Sequence, residues 1–205
     1  MKECPILFSA PMVRAILDGR KTQTRRIIKM ESLPATATKP YFDEAGFLCV
    51  IDASRLGIWF FVQDDSGRKV RCPYGVPGDR LWVRETFRIR DDHKASVCYR
   101  ADEPPSTDGF KWSPAIFMTR GDSRITLEIV NVRVERLKDI DEADAEAEGV
   151  ERHGPNDQHG DERSFYEGYR ELWNAINAKR GYGWEKNPWV WVIEFCTLTP
   201  LPEGR

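Results

Sequence analysis

The chain has 205 residues, 40% of them hydrophobic and 31% charged, which predicts one soluble globular domain with a real core. No apolar run approaches the roughly 18 residues that a membrane span needs, and Met1-Lys2-Glu3-Cys4-Pro5 lacks a signal-peptide pattern, so a cytoplasmic location is expected. The net charge of −2 neither requires nor excludes a nucleic-acid partner, and the five cysteines (Cys4, Cys49, Cys72, Cys98, Cys196) lack paired metal-ligand spacing, so no disulfide framework, zinc site or other cofactor is expected.

Cys4 to Phe8 reads as a first strand. Ser9 is placed to cap a helix, Pro11 suits its first turn, and Met12, Val13, Ile16 and Leu17 share one helical face. Gly19 fits the left-handed residue that closes such a helix. Residues 30–40 read as a loop, and 47–51 and 57–63 as strands within an insertion near 30–72. The Pro/Gly-rich turn from Pro73 to Arg80 feeds a strand over Leu81–Glu85. Ser96–Arg100 and Ala115–Thr119 are predicted as short strands around a polar insertion at 102–114. From Ile125 to Glu135 the alternation slips by one residue at Val130-Asn131, the signature of a β-bulge. Asp139 is predicted to cap a short helix that runs to Glu148 and stops at Gly149, with Glu142 completing a capping box. Residues 151–163 read as a mobile polar loop carrying His153 and His159, and His93 also sits in a polar stretch. Ser164 opens a third helix, with Phe165, Tyr169, Leu172, Trp173 and Ile176 at helical spacing. Pro188 to Phe195 is apolar on both faces and should be an interior strand. Short strands, three helices and a bulge predict an α+β fold, a small twisted β-barrel with helices at its openings.

Charge is unevenly spread. Arg14, Arg20, Lys21, Arg25, Arg26 and Lys29 cluster against Asp18 alone, whereas Asp139 to Glu162 is acidic. The basic segment, a turn expected to project from the first helix, reads either as a solvated turn or as an attractor of phosphate. Its sequence, Gly19-Arg20-Lys21-Thr22-Gln23-Thr24, resembles the Gly-Arg-Lys-Thr-x-Thr signature of the ASCH family in the PUA-like superfamily. Gly78-Asp79-Arg80-Leu81-Trp82-Val83-Arg84-Glu85, Asp144 to Gly149 and the final Trp-Val-Ile-Glu-Phe follow in family order across the chain. Asn187-Pro188-Trp189-Val190-Trp191 is most similar to larger bacteriophage and prophage members.

The resemblance implies a single PUA-like domain over 1–205, with a cleft beside the first helix. It also implies removal of the acyl group from N4-acetylcytidine or a similar N-acylated nucleobase or nucleoside. In that reading Lys21, Thr24 and Glu148 are catalytic, with Glu146 as the fallback for the third residue. A threonine hydroxyl needs a neighbouring base, and lysine serves as one when burial or like charges lower its pKa. Arg20, Thr22, Arg25, Arg26, Trp112 and Arg120 are the candidate substrate-binding residues. Thr22, Arg25 or backbone N–H groups of the turn could stabilise the oxyanion, and Trp112 could stack a base. Arg120 and Arg124 would contact phosphate or flank a hairpin. Phe117 stands where larger relatives carry a His. The alternative is a non-catalytic RNA- or nucleotide-binding module using the same cleft. RNA cleavage ranks below both, since no His pair supports it. The expected partner is a nucleoside or modified nucleobase, with RNA as a further possibility and neither membrane nor metal.

Overall fold

The computed structural model describes residues 1–28, 60–61, 69–70, 72–89, 97–103, 111–152 and 164–198. The strands predicted at 47–51 and over most of 57–63, the loops at 30–40 and 153–163, Cys49 and all three histidines lie outside those residues. The architecture is mixed α+β, built on a five-stranded sheet. In chain order its strands are β1 (Glu3–Leu7), β2 (Gln23–Ile27), β5 (Arg80–Arg84), β8 (Thr126–Arg136) and β9 (Trp189–Thr197). Their spatial order is β1-β5-β8-β9-β2. Only β1 and β5 run parallel; the other three pairings are antiparallel. Two small ribbons, β3 (Phe60–Phe61) with β4 (Lys69–Val70) and β6 (Phe87–Ile89) with β7 (Val97–Tyr99), stand apart from this sheet.

Among the described residues the predicted barrel does not close. β1 and β2 are the two edges of the sheet and are not paired with each other. What crosses between them is a side chain: Arg26 donates to the Leu7 carbonyl at 2.7 Å.

The predicted slip in β8 is present. Ile129 faces Phe195 and Asn131 faces Glu194, so Val130 is the extra residue and turns outward. β9 is interior, with β8 on one side and β2 on the other. Its alternate residues serve two cores. Trp191, Ile193 and Phe195 join Ile6, Leu127 and the Val13–Ile16 face of helix α1 (Ala10–Leu17). Val190 and Val192 join Leu137, Ala145 and the Tyr169–Trp173 face of helix α3 (Phe165–Asn177). A strand buried on both faces has no solvated side to mark with polar residues, hence its continuous apolar run.

Helix ends explain two differences from the sequence reading. Helix α2 (Glu142–Ala147) is capped by Asp141, whose carboxylate accepts from the Asp144 N–H; Asp139 instead closes a preceding 3-10 turn over Leu137–Asp139. Both acids are good caps, and the intervening turn decides which one meets the free N–H groups. Ser164 caps α3 through the Glu167 N–H as expected. Ser9 occupies the N-cap of α1, yet its hydroxyl does not cap. Ala115–Thr119 is not a strand: Ala115–Phe117 forms a 3-10 turn closed by Phe117 N–H to Pro114 O and Met118 N–H to Ala115 O. Its Ile116 and Phe117 side chains are exposed, so no sheet partner supports an extended form.

Among the described cysteines, Cys4 and Cys72 are buried and Cys98 is half-buried, while Cys196 is exposed; none is in a disulfide. Burial pushes the Cys72 thiol up to about 11, so it stays protonated and inert. Among the described residues no helix is long and apolar enough to cross a membrane.

Candidate functional site

The basic segment does not project as a turn. After α1, Gly19 takes a left-handed conformation (φ 73°) and the chain runs straight into β2. Lys21 N–H bonds back to Ala15 O, and Thr22 N–H reaches Ala147 O of α2. An isolated antiparallel bridge pairs Lys21 with Glu148. The segment is therefore walled in by α1, α2 and β9. Lys21 is 3% exposed, Thr24 4% and Glu148 3%.

Lys21 Nζ donates to Gln23 O at 2.7 Å, to Glu148 O at 2.7 Å and to Glu148 Oε2 at 2.9 Å. All three ammonium protons thus have acceptors. Burial lowers the Lys21 pKa; Glu148 opposes the shift, and the charges of Arg26 and Arg25 reinforce it. Glu148 holds this place because it is the C-cap of α2, where the helix turns away at Gly149 (φ 76°). A Cβ on Gly149 would lie 2.6 Å from Lys21 Cβ and 2.8 Å from Ala15 Cβ, so the lysine stem packs on bare glycine. Glu146, the fallback, is exposed on the outer side of α2.

Behind this pair lies a charge cluster. The Arg25 guanidinium reaches Glu148 at 3.4 Å, Glu135 at 3.0 Å and Asp144 at 2.5 Å. Arg133 adds contacts to Asp144 at 3.0 Å and to Glu135 and Glu194. Burial works against the ionised Asp144, but the hydrogen bond and charge of Arg25, with Arg133, outweigh it and hold the carboxyl below its ordinary value. Arg25 is raised: burial is opposed by Glu148 above all, so the residue remains a cation.

In front of the pair opens a cleft of about 530 Å³. It lies at the unpaired margin of the sheet: Leu7 comes from β1, and Thr24, Arg25, Arg26 and Ile27 from β2. Phe8, Ser9 and Met12 form the wall at the start of α1; Tyr169, Leu172, Trp173, Ile176, Asn177 and Arg180 form the wall of α3 and the turn after it. A mostly apolar cleft of this size with a few polar groups suits a small organic ligand.

Among the polar groups of the cleft, the Thr24 hydroxyl and that of Tyr169, which is 3% exposed, have no hydrogen-bond partner among the described residues, and neither do the buried Nε atoms of Arg25 and Arg26. Burial, then the charge of Glu148, pushes the Tyr169 phenol well above its usual value, so it is a donor at neutral pH. Its ring is wedged by Trp173 and Trp184, each with a centroid separation of 6.2 Å.

The structure therefore brings together Lys21, Thr24, Glu148, Arg25 and Arg26, and separates the other candidates. Arg20 points outward to Asp18 at 2.9 Å and Glu151 at 3.8 Å. Thr22 is exposed and outside the cleft. Trp112 is half-buried, with Arg88 and Arg100 at 5.1 and 5.3 Å from its ring centre, and does not line the cleft. Arg120 pairs with Glu3 at 3.0 Å and Thr126 at 3.2 Å, away from the cleft. Arg124 clamps Glu85 and Asp102, lies 4.0 Å from the Tyr99 ring centre and does not line the cleft. Phe117 is 70% exposed and does not line the cleft, although Ala115 of the same turn does.

Tyr169 and Arg180 are residues the sequence did not assign to the site. The phenol was legible only as one apolar position of a helical stripe, and Arg180 follows that stripe with no motif. Among the described residues no cluster of His, Cys, Asp or Glu is placed to hold a metal ion.

No family model matches the chain, and no curated protein matches it. Among solved structures it is similar to an ASCH domain from Lactobacillus crispatus JV V101, with 11% identity and a TM-score of 0.42 over 96% of this chain and 79% of that one.

Proposed function

We propose that the chain is an amidohydrolase that removes the acyl group from N4-acetylcytidine or a similar N-acylated nucleobase, as its resemblance to the ASCH family implies. The observation that carries this reading is a Thr24 hydroxyl with no hydrogen-bond partner among the described residues, set in the same cleft as the buried Lys21–Glu148 pair. In a dry site the pair can hold its shared proton on either partner without changing net charge. When the proton moves along the 2.9 Å bond to Glu148, Lys21 becomes a neutral amine.

Thr24 Oγ then attacks the acyl carbon as its proton passes to Lys21 Nζ. The carbonyl electrons move onto oxygen, where the Tyr169 hydroxyl donates a hydrogen bond. Thr22 and Arg25 are poorly suited to that role, since one is outside the cleft and the other is already engaged by three carboxylates. The C–N bond breaks, and the leaving nitrogen takes the proton from Glu148. Water next attacks the acyl-threonine through the same exchange, giving its proton to Lys21. Thr24 Oγ leaves with the proton held by Glu148, and the carboxylic acid is released.

The test is hydrolysis of N4-acetylcytidine by purified protein, followed by absorbance, with Thr24→Ala and Lys21→Ala alongside. Each substitution is expected to lower kcat by about 10³-fold or more. Turnover that survives Thr24→Ala would show that the hydroxyl is not the nucleophile.

A further inference from the structure

The cationic groups of the cleft fall into two sets. Lys21 and Arg25 are neutralised by Glu148, Asp144 and Glu135 at its inner end. Arg26 and Arg180 line the same cleft, and neither has a carboxylate partner among the described residues. Arg26 donates to Leu7 O and lies 5.1 Å from the Phe8 ring centre, which fixes its stem beside Ser9 and the start of α1. It lines the cleft together with Lys21 and Tyr169, and its charge acts on both. Among the described residues the Arg180 guanidinium makes one hydrogen bond, at 3.4 Å to Asn177 Oδ1.

The start of α1 adds a third feature. Pro11 has no N–H, the Ser9 hydroxyl does not cap, and Ser9 lines the cleft. The positive end of the helix dipole is thus left unneutralised where the cleft opens. It shares the cleft with two guanidinium groups and with the hydroxyls of Thr24 and Tyr169. An acylated base alone offers no charge for this set.

We infer that the ligand of this cleft carries a phosphate ester, bound between Arg26, Arg180 and the start of α1. The substrate would then be an acylated nucleotide and not the free nucleoside. A guanidinium meets a phosphate through paired, charge-assisted hydrogen bonds, and two of them without carboxylate partners are suited to one dianion. The inference refines the amidohydrolase reading by naming its substrate class, but its test reads binding and not turnover.

The experiment is calorimetric titration of Thr24→Ala protein with N4-acetylcytidine, its 5′-monophosphate and a short single-stranded RNA containing one acetylated cytidine. Inorganic phosphate is added as a competitor. The monophosphate should bind at least about tenfold more tightly than the nucleoside, and phosphate should erase the difference. Arg180→Gln, a substitution on an exposed turn, and Arg26→Gln should each shrink the preference toward one-fold, with circular dichroism showing a retained fold. Tighter binding of the oligonucleotide, with a steep salt dependence, would assign the phosphate to a chain backbone; parity with the monophosphate would assign it to a free nucleotide. Equal affinity for nucleoside and monophosphate, or no binding of either, would overturn the inference. Phosphate-dependent binding without any hydrolysis by wild-type protein would instead overturn the amidohydrolase reading alone.

Discussion

Gly149 offers the sharpest test of how the site is held. It lies one residue beyond Glu148, at φ 76°, with Lys21 Cβ and Ala15 Cβ at 2.6 and 2.8 Å from where its own Cβ would be. Gly19 has nearly the same backbone, φ 73°, but nothing within 4 Å. Alanine at either position meets the left-handed cost of about 1–2 kcal/mol. Only at Gly149 does overpacking add about 1–3 kcal/mol, because both neighbours are first atoms of side chains and cannot swing away. The excess of Gly149→Ala over Gly19→Ala is therefore about 2 kcal/mol. At roughly 2–4 °C per kcal/mol for a domain of this size, its thermal midpoint should fall about 6 °C further. Thermal unfolding followed by circular dichroism reads the difference. Turnover should fall as well, since a displaced lysine stem moves Nζ, and misplacement by about 1 Å can cost about 10² in rate. Equal midpoints for the two variants would show that Gly149 does not set the position of Lys21.

Tyr169→Phe keeps the ring between Trp173 and Trp184 and removes the hydroxyl alone. It should lower kcat by about 10²-fold with KM little changed, and a pure KM effect would remove the oxyanion role. Arg124→Ala leaves Glu85, 1% exposed, without its bidentate partner. Breaking a buried pair costs up to about 3–5 kcal/mol, less here because Arg124 is partly exposed, while the double variant with Glu85→Gln should recover much of the loss. Asp144 has its pKa lowered in the folded state, so its stabilisation is present above its unfolded pKa and is lost as pH falls through the folded one. Asp144→Asn should therefore lower the urea midpoint at about pH 7 and change it much less at about pH 2. An equal loss at both pH values would assign the effect to packing.

Several elements were legible because one local signal sufficed for each. The Val130 bulge showed as a break in alternation, the Ser164 cap as a polar residue before a helical stripe, and β9 as a run apolar on both faces. Lys21, Thr24 and Glu148 were legible as a constellation only through resemblance, since nothing local tells a buried lysine from a solvated one. The segment 20–26 reads as a basic turn because every one of its residues is polar or charged. Its burial depends on carboxylates distant in sequence: Glu135, Asp144 and Glu148 supply the counter-charge that makes an edge strand containing arginine tolerable in the interior. The surroundings of Trp112 depend on the fold in the same way. Arg88 and Arg100, the arginines near its ring, lie on either side of a hairpin that only the fold brings together.

The Lys21–Glu148 pair also dictates a pH profile. The competent state of the pair holds one shareable proton. Gain of a second leaves a neutral carboxyl beside an ammonium, with no place for the Thr24 proton. Loss of the first leaves Glu148 without the proton that it hands to the departing nitrogen. Turnover should therefore be bell-shaped, with two apparent values belonging to the pair and not to either residue. Burial and the nearby charges of Arg26 and Arg25 lower Lys21, against the pull of Glu148, so the alkaline limb should lie below the range of a free lysine. Arg26→Gln removes one of those charges and should move that limb upward. A rate that rose steadily with pH through the ordinary lysine range, in wild type and variant alike, would mean that hydroxide performs the attack and that the pair serves the fold alone.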